Sequence, residues 1–266
     1  MVTARTPAVF IHGLWLHAQS WNNWIELFRA TGYEPIAPSW PGIPATVEQA
    51  RAHPESIGGY SITDAADHYA GIIHSLASKP IVIGHSFGGL LAQILLGRGL
   101  ASAAIAIDAA PIKGVLPLPF SSLRVAFVAL KSPANAKRAV SLTANEFRYG
   151  FGNAVSAEES AELYRRWTIP APGRPLFQAA FANFNPHAAS KVDTVNATRG
   201  PLLLIAGERD HTVPPVITRA TLKQYRKSPA VTELKEIPGR GHSLTIDSGW
   251  RGVADTALAW LRKHAL

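Results

Sequence analysis

The chain has 266 residues, 47% hydrophobic and 17% charged. That is a globular composition, too apolar for disorder. No run approaches the ~18–20 unbroken apolar residues of a membrane helix, and the longest, Leu100 to Ile112, is broken by Asp108. Lys and Arg outnumber Asp and Glu by 26 to 18, a net charge of +8. No run of five basic residues and no zinc-finger or basic-zipper pattern accompanies it, so nucleic acid is not an expected partner. Cysteine is absent, which excludes disulfides, thiolate metal sites and cysteine nucleophiles. The opening MVTARTPAVFIHG has no long apolar stretch before a small-residue cleavage site, which makes the cytoplasm the expected compartment.

In chain order, Ala8 to Ile11 reads as a strand ended by His12-Gly13. Ser20 to Thr31 spaces Trp21, Trp24, Ile25 and Phe28 on one helical face, stopped by Gly32. Glu34 to Ala37 is a short strand before the turn Pro41-Gly42. Ser61, with Asp64 three residues on, opens a helix that runs to about Ala77. Ile81 to Ile83 is wholly apolar, as a strand buried on both faces should be. Gly88 to Leu96 reads as a buried helix. Strands Ala103–Ile107, Leu202–Ala206 and Leu234–Ile237 follow, and a helix from Gly249 to Leu266 closes the chain. Alternation of strand and helix predicts an α/β fold: a mostly parallel, doubly wound sheet of about six strands.

The rhythm breaks between Ile112 and Ser190. This stretch holds several prolines, ten aromatics, nine Lys/Arg, four Glu and no Asp, and so carries +5 of the charge. It is expected to be a mainly helical cap (112–190) over a core made of 1–111 and 191–266, with most of its aromatics filling a small core of its own.

The strongest motif is Gly84-His85-Ser86-Phe87-Gly88-Gly89, directly between strand Ile81–Ile83 and a helix. This is G-x-S-x-G in its strand–turn–helix setting. A nucleophile on so tight a turn needs a strained backbone, and glycines on either side let strand and helix pass closely. A serine hydroxyl is not ionised at neutral pH, so it needs a base, and the base needs an orienting carboxylate. His242, in Gly239-Arg240-Gly241-His242-Ser243, is the expected base. Asp210, in Gly207-Glu208-Arg209-Asp210-His211, is the expected acid. The order Ser…Asp…His is the one this architecture uses. Asp108, after strand Ala103–Ile107, is a rival acid. Asp247 is read as a cap of the last helix, His211 as a surface residue, and His85 as pointing away from the serine. The oxyanion donors are expected to be the backbone N–H groups of Phe87 and Leu14, with Trp15 as alternative donor or pocket wall. Phe120, Phe127 and Trp167 are expected to join Trp15 in an apolar substrate pocket.

Together, Phe10–Trp21 (FIHGLWLHAQSW), Gly84–Gly89 (GHSFGG), Ala206–Pro214 (AGERDHTVP) and Gly239–Ser243 (GRGHS) resemble the α/β-hydrolase superfamily. The resemblance covers Ala8 to Phe87 and Val192 to the end, with the insertion corresponding to that family's cap. Only seven residues precede Ala8, leaving no room for the two strands with which many members begin. The chain thus resembles the smaller six-stranded members, among them plant-type esterases and hydroxynitrile lyases. Leu14 stands after Gly13 where a hydroxyl residue would favour lyase chemistry. The resemblance implies a serine hydrolase acting on small-molecule esters with an apolar acyl or aryl group, without metal or organic cofactor and without integral membrane association. The same three side chains also suit C–C bond or lactone hydrolysis, acyl transfer or lyase chemistry. A ligand receptor on the same fold is the non-enzymatic alternative.

Overall fold

The computed structural model describes residues 5–266; residues 1–4 of the expected core segment lie outside them. Eight strands and ten α-helices are described, in the order β1 (Pro7–Ile11), α1 (Asn22–Ala30), β2 (Glu34–Ile36), α2 (Val47–Ala52), α3 (Ile62–His74), β3 (Ile81–His85), α4 (Phe87–Gly97), β4 (Ala103–Ile107), α5 (Phe120–Leu130), β5 (Ala139–Val140), α6 (Ala144–Gly150), α7 (Ala157–Trp167), β6 (Ala171–Pro172), α8 (Arg174–Ala180), β7 (Leu202–Gly207), α9 (Pro215–Gln224), β8 (Thr232–Ile237) and α10 (Trp250–Lys263). Six strands form one sheet in the order β2-β1-β3-β4-β7-β8, and every neighbouring pair is parallel.

The apolar strands alternate faces residue by residue. Val9, Ile11, Val82, Ala104, Leu202 and Leu204 belong to one hydrophobic cluster. Ala8, Phe10, Ile81, Ile83, Ile105 and Ile205 belong to the other. Helices α1 and α10 cover the second face through Trp24, Phe28, Leu258 and Leu261. The first is covered by α3, α4 and α9 through residues such as Tyr69, Leu91 and Ile217. Strands β1, β3, β4 and β7 are buried at every residue, which is why they read as apolar runs, whereas the edge strand β8 is half-buried and carries Glu233, Lys235 and Glu236.

Two features carry the sequence signals directly. Ser61 and Asp64 form a reciprocal capping box at the start of α3, satisfying two N–H groups that the helix itself leaves free. Gly32 takes φ +98° after α1, a left-handed stop that side chains resist. Helices α2 and α9 also start on local signals: Thr46 Oγ1 accepts the Gln49 N–H at the N-cap of α2, and Pro215 is the first residue of α9.

Between β4 and β7, residues 112–190 supply α5 to α8 and the two-residue antiparallel pair β5–β6. The expectation that its aromatics fill a separate small core fails. Phe147 and Phe151 stack with ring centres 5.0 Å apart and join the main cluster beside α4, whereas Phe120, Phe127, Phe181 and Phe184 face outward. The segment is too thin to enclose its own interior, so its inward side chains share the sheet's core. Among the described residues no helix is long and apolar enough to cross a membrane.

The strand order reverses at β1: β2 lies on one side of it and β3 on the other. Parallel sheets of this kind open a crevice at the carboxyl ends of the strands where the order reverses. The His12–Trp15 loop after β1 and the turn after β3 meet there.

Candidate active site

Ser86 sits between β3 and α4 with φ 56° and ψ −120°, a conformation that costs a non-glycine residue roughly 1–3 kcal/mol. The turn is pinned by Ser86 N–H donating to the Ile107 carbonyl at 2.9 Å and Ala110 N–H donating to the Ser86 carbonyl at 3.0 Å. Its glycines are demanded by space. A Cβ on Gly84 would lie 2.0 Å from the Gly88 carbonyl oxygen, one on Gly88 2.1 Å from the Ile11 oxygen, and one on Gly13 2.8 Å from Ser86 Cβ. The loop after β1 is thus pressed against the serine. Among the described residues, neither the Leu14 nor the Phe87 N–H has a hydrogen-bond acceptor.

Asp210 follows β7 and His242 follows β8, both fully inside the protein. His242 Nδ1 donates to Asp210 Oδ2 at 2.6 Å. The other Asp210 oxygen accepts the N–H groups of Thr212 (2.6 Å) and Val213 (2.9 Å), so the carboxylate is held at both ends. With Nδ1 donating, Nε2 of His242 is left as the accepting nitrogen; it is buried and has no partner among the described residues. Structure thus unites His242 with Asp210, while no hydrogen bond joins Ser86 to His242. Catalytic contacts are often open in unliganded enzymes.

The rival acid stands beside the chosen one. Asp108, at the end of β4, has Oδ2 3.9 Å from His242 Nδ1, too far for a hydrogen bond. Its Oδ1 accepts the Gly207 N–H at 2.7 Å. Burial, and then the neighbouring charge of Asp210, hold its carboxyl well above the usual carboxylate range. Two carboxylates in one dry site oppose each other's ionisation, and Asp108 Oδ2 is buried with no hydrogen-bond partner among the described residues.

His85 does more than point away. Its Nε2 donates to the His242 carbonyl at 2.9 Å, and the two rings lie 4.6 Å apart. Burial lowers its basicity far below the ordinary value, so it is a neutral donor that holds the His242 backbone. From the 112–190 segment, Phe151 packs edge-on to the His242 ring at 4.7 Å and accepts the Ser243 N–H on its carbonyl. Sequence spacing gives no signal for Phe151; the placement of Asp108 at a strand end gives one for Asp108. Asp247 does not cap the last helix as expected: Gly249 stands at the N-cap of α10 without a side-chain cap, and Asp247 instead accepts the Gly249 N–H at 3.1 Å and binds Ser243 Oγ and Arg240. His211 is half-buried, donating to the Tyr149 carbonyl.

His85, Asp108 and His242 bring potential metal-ligating atoms within 4.8 Å of one another. His85 Nε2, Asp108 Oδ1 and His242 Nδ1 are engaged in hydrogen bonds to protein groups, whereas His85 Nδ1, Asp108 Oδ2 and His242 Nε2 have no partner among the described residues.

A cavity of about 120 Å³ opens beside Ser86 and Phe87. Trp15 lines it, as expected, with Leu123, Ala126, Leu176 and Val213. Trp15 holds φ 65° and is fixed by its indole N–H on the Val140 carbonyl at 2.9 Å. The other three expected wall residues are elsewhere. Phe120 and Phe127 lie on the outer face of α5, 78% and 63% exposed, because α5 turns Ser122, Val125 and Ala126 inward instead. Trp167 ends α7, where Arg166 stacks on its ring and its carbonyl takes the His17 N–H. Aromatic content identified the segment but not which helical face turns inward.

A family model described as Alpha/beta hydrolase family matches residues 8–256. The chain belongs to that family. The hydrolase is also similar to solved structures: a monoacylglycerol lipase from Paleococcus ferrophilus (21% identity, TM-score 0.67, covering 97% of this chain and 94% of that one), a methylesterase from Arabidopsis (17%, 0.66, 97% and 99%) and a thermophilic esterase from Thermogutta terrifontis (20%, 0.66, 97% and 90%). At such identities the likeness is one of fold. No curated protein matches the sequence.

Proposed function

We propose that the protein is a serine hydrolase of carboxylic esters, with Ser86 as nucleophile, His242 as base and Asp210 as its orienting acid. The single observation that carries this reading is the buried pair of His242 Nδ1 and Asp210 at 2.6 Å, with the accepting Nε2 unengaged. Ser86 Oγ bonds to the ester carbonyl carbon as its proton passes to His242 Nε2. The N–H groups of Phe87 and Leu14 receive the oxyanion. Collapse breaks the ester C–O bond, and His242 returns the proton to the departing alcohol. Water, deprotonated by the same nitrogen, then frees the acid. Acyl transfer of this kind needs no metal or organic cofactor.

The apolar cavity beside Ser86 suits an apolar acyl or aryl group. In this reading residues 112–190 are the cap and residues 1–111 with 191–266 the catalytic core. That named esterases and a lipase share the fold supports ester hydrolysis over the other reactions open to the same side chains.

The test is Ser86→Ala, assayed on short-chain aryl esters. Turnover should fall by a factor on the order of 10⁶ while circular dichroism and the unfolding midpoint stay native. A fluorophosphonate should label the native protein at Ser86. Undiminished hydrolysis by the variant would falsify the assignment, and a native protein that resists labelling and shows no turnover is a receptor.

A further inference from the structure

The outward aromatics of the 112–190 segment are part of a larger surface. Leu116, Leu118, Phe120, Phe127, Phe181 and Phe184 are each at least 60% exposed, and Phe184 reaches 87%. Scattered single exposures are ordinary, but a contiguous apolar face signals a partner. These residues fall in two stretches, 116–127 and 181–184, which the fold brings together. Asn183 Oδ1 accepts the Gly114 N–H at 2.8 Å, and its amide donates to the Val115 carbonyl at 2.9 Å. Lys113 Nζ donates to the Asn185 carbonyl at 2.7 Å. On α5, Phe120, Leu123 and Phe127 recur at three and seven residues, one helical stripe. Leu118 and Leu123 also line the cavity beside Ser86, so the exposed face runs into its mouth.

Charge selects the partner. Residues 111–145 contain Lys113, Arg124, Lys131, Lys137 and Arg138 without one Asp or Glu, and residues 168–192 contain Arg174 and Lys191, again without an acid. The segment's acids, Glu146, Glu158, Glu159 and Glu162, all lie in α6 and α7. Lys113, whose Nζ donates to the Asn185 carbonyl, and Lys131, directly after α5, set cations beside the apolar side chains, which matches the interface of an anionic bilayer: hydrocarbon takes the rings and lipid phosphates meet the ammonium groups. A second copy of this chain would present the same positive charge and repel.

We propose that this face docks on an anionic lipid surface, with the cavity mouth against it, so that an apolar ester enters from the lipid. Delivery of an ester rests on the hydrolase reading; docking does not. Sedimentation with vesicles tests docking without turnover, using both native protein and Ser86→Ala. Both should bind phosphatidylcholine vesicles that contain phosphatidylglycerol, more weakly as salt rises. The double variant Phe120→Ser/Phe184→Ser should bind them at least about tenfold more weakly. Its turnover of a soluble short-chain ester should match native, since neither side chain lines the cavity. Lack of binding, binding that the double variant keeps, or equal binding to pure phosphatidylcholine overturns the proposal. So does a native dimer that the double variant converts to monomer without any vesicle binding, which would make the face a self-association surface.

Discussion

Asp108 and Asp210 end neighbouring strands, and their carboxyls share one dry site with a single imidazole. Distance separates their roles: Asp210 is 2.6 Å from His242 Nδ1 and Asp108 3.9 Å. Electrostatics separates them again: burial and the Asp210 charge push the Asp108 carboxyl well above the usual carboxylate range. An asparagine at 108 can keep the Gly207 hydrogen bond on its oxygen and places no second negative charge beside Asp210. Asp108→Asn should therefore retain kcat within about tenfold, whereas Asp210→Asn should lose on the order of 10⁴, the cost of offering the imidazole the wrong partner. Steady-state kinetics of the two variants decide between them; the reverse ranking would make Asp108 the acid.

At the scale of the element, backbones that pass close together govern the turn between β3 and α4. Gly88 faces the Ile11 carbonyl, and a methyl there would sit 2.1 Å from backbone oxygen, which cannot give way as a side-chain tip would. Gly88→Ala should cost at least about 3 kcal/mol or prevent soluble expression. Gly71, exposed in the middle of α3, meets nothing within 4 Å. Gly71→Ala should instead stabilise by up to about 1 kcal/mol. Urea unfolding of both variants measures the contrast. Equal effects would mean that close approach does not govern the turn.

Across the whole molecule, the buried histidines set the response to acid. The Trp40 N–H donates to His12 Nε2 at 3.2 Å, and His12 Nδ1 donates to the Gly13 carbonyl. Its pKa is lowered to about 3, chiefly by burial; His85, also through burial, is lowered far below its ordinary value. The unfolded chain binds protons at these positions below pH 6.5 and the folded protein does not. Their stabilisation is thus complete above pH 6.5 and is lost as pH falls toward the folded values. Asp108 acts in the opposite sense, its contribution fading as pH rises through its elevated folded value. Unfolding free energy should drop by about 1.4 kcal/mol per pH unit for each buried imidazole between pH 6 and 4. Urea titrations of Asp108→Asn across that range read the slope free of the opposing carboxyl; a flat profile in that variant would mean that both rings are charged in the folded state.

By itself the sequence determined the α/β sheet and the strained serine turn, and it pointed to Asp210 and His242, which the fold pairs. Strands buried on both faces must be apolar throughout, and a tight turn must carry glycine, so both demands are written locally. Asp108's position at a strand end was legible, but not its protonation, which depends on a carboxylate 102 residues away in the chain. Likewise, composition marked residues 112–190 as aromatic and basic, yet only tertiary structure decided that Phe147 and Phe151 go inward while Phe120 and Phe127 go out. Short amphipathic helices with apolar residues on more than one side can seat either face. The choice belongs to the surface they land on, here the top of a sheet whose core they share.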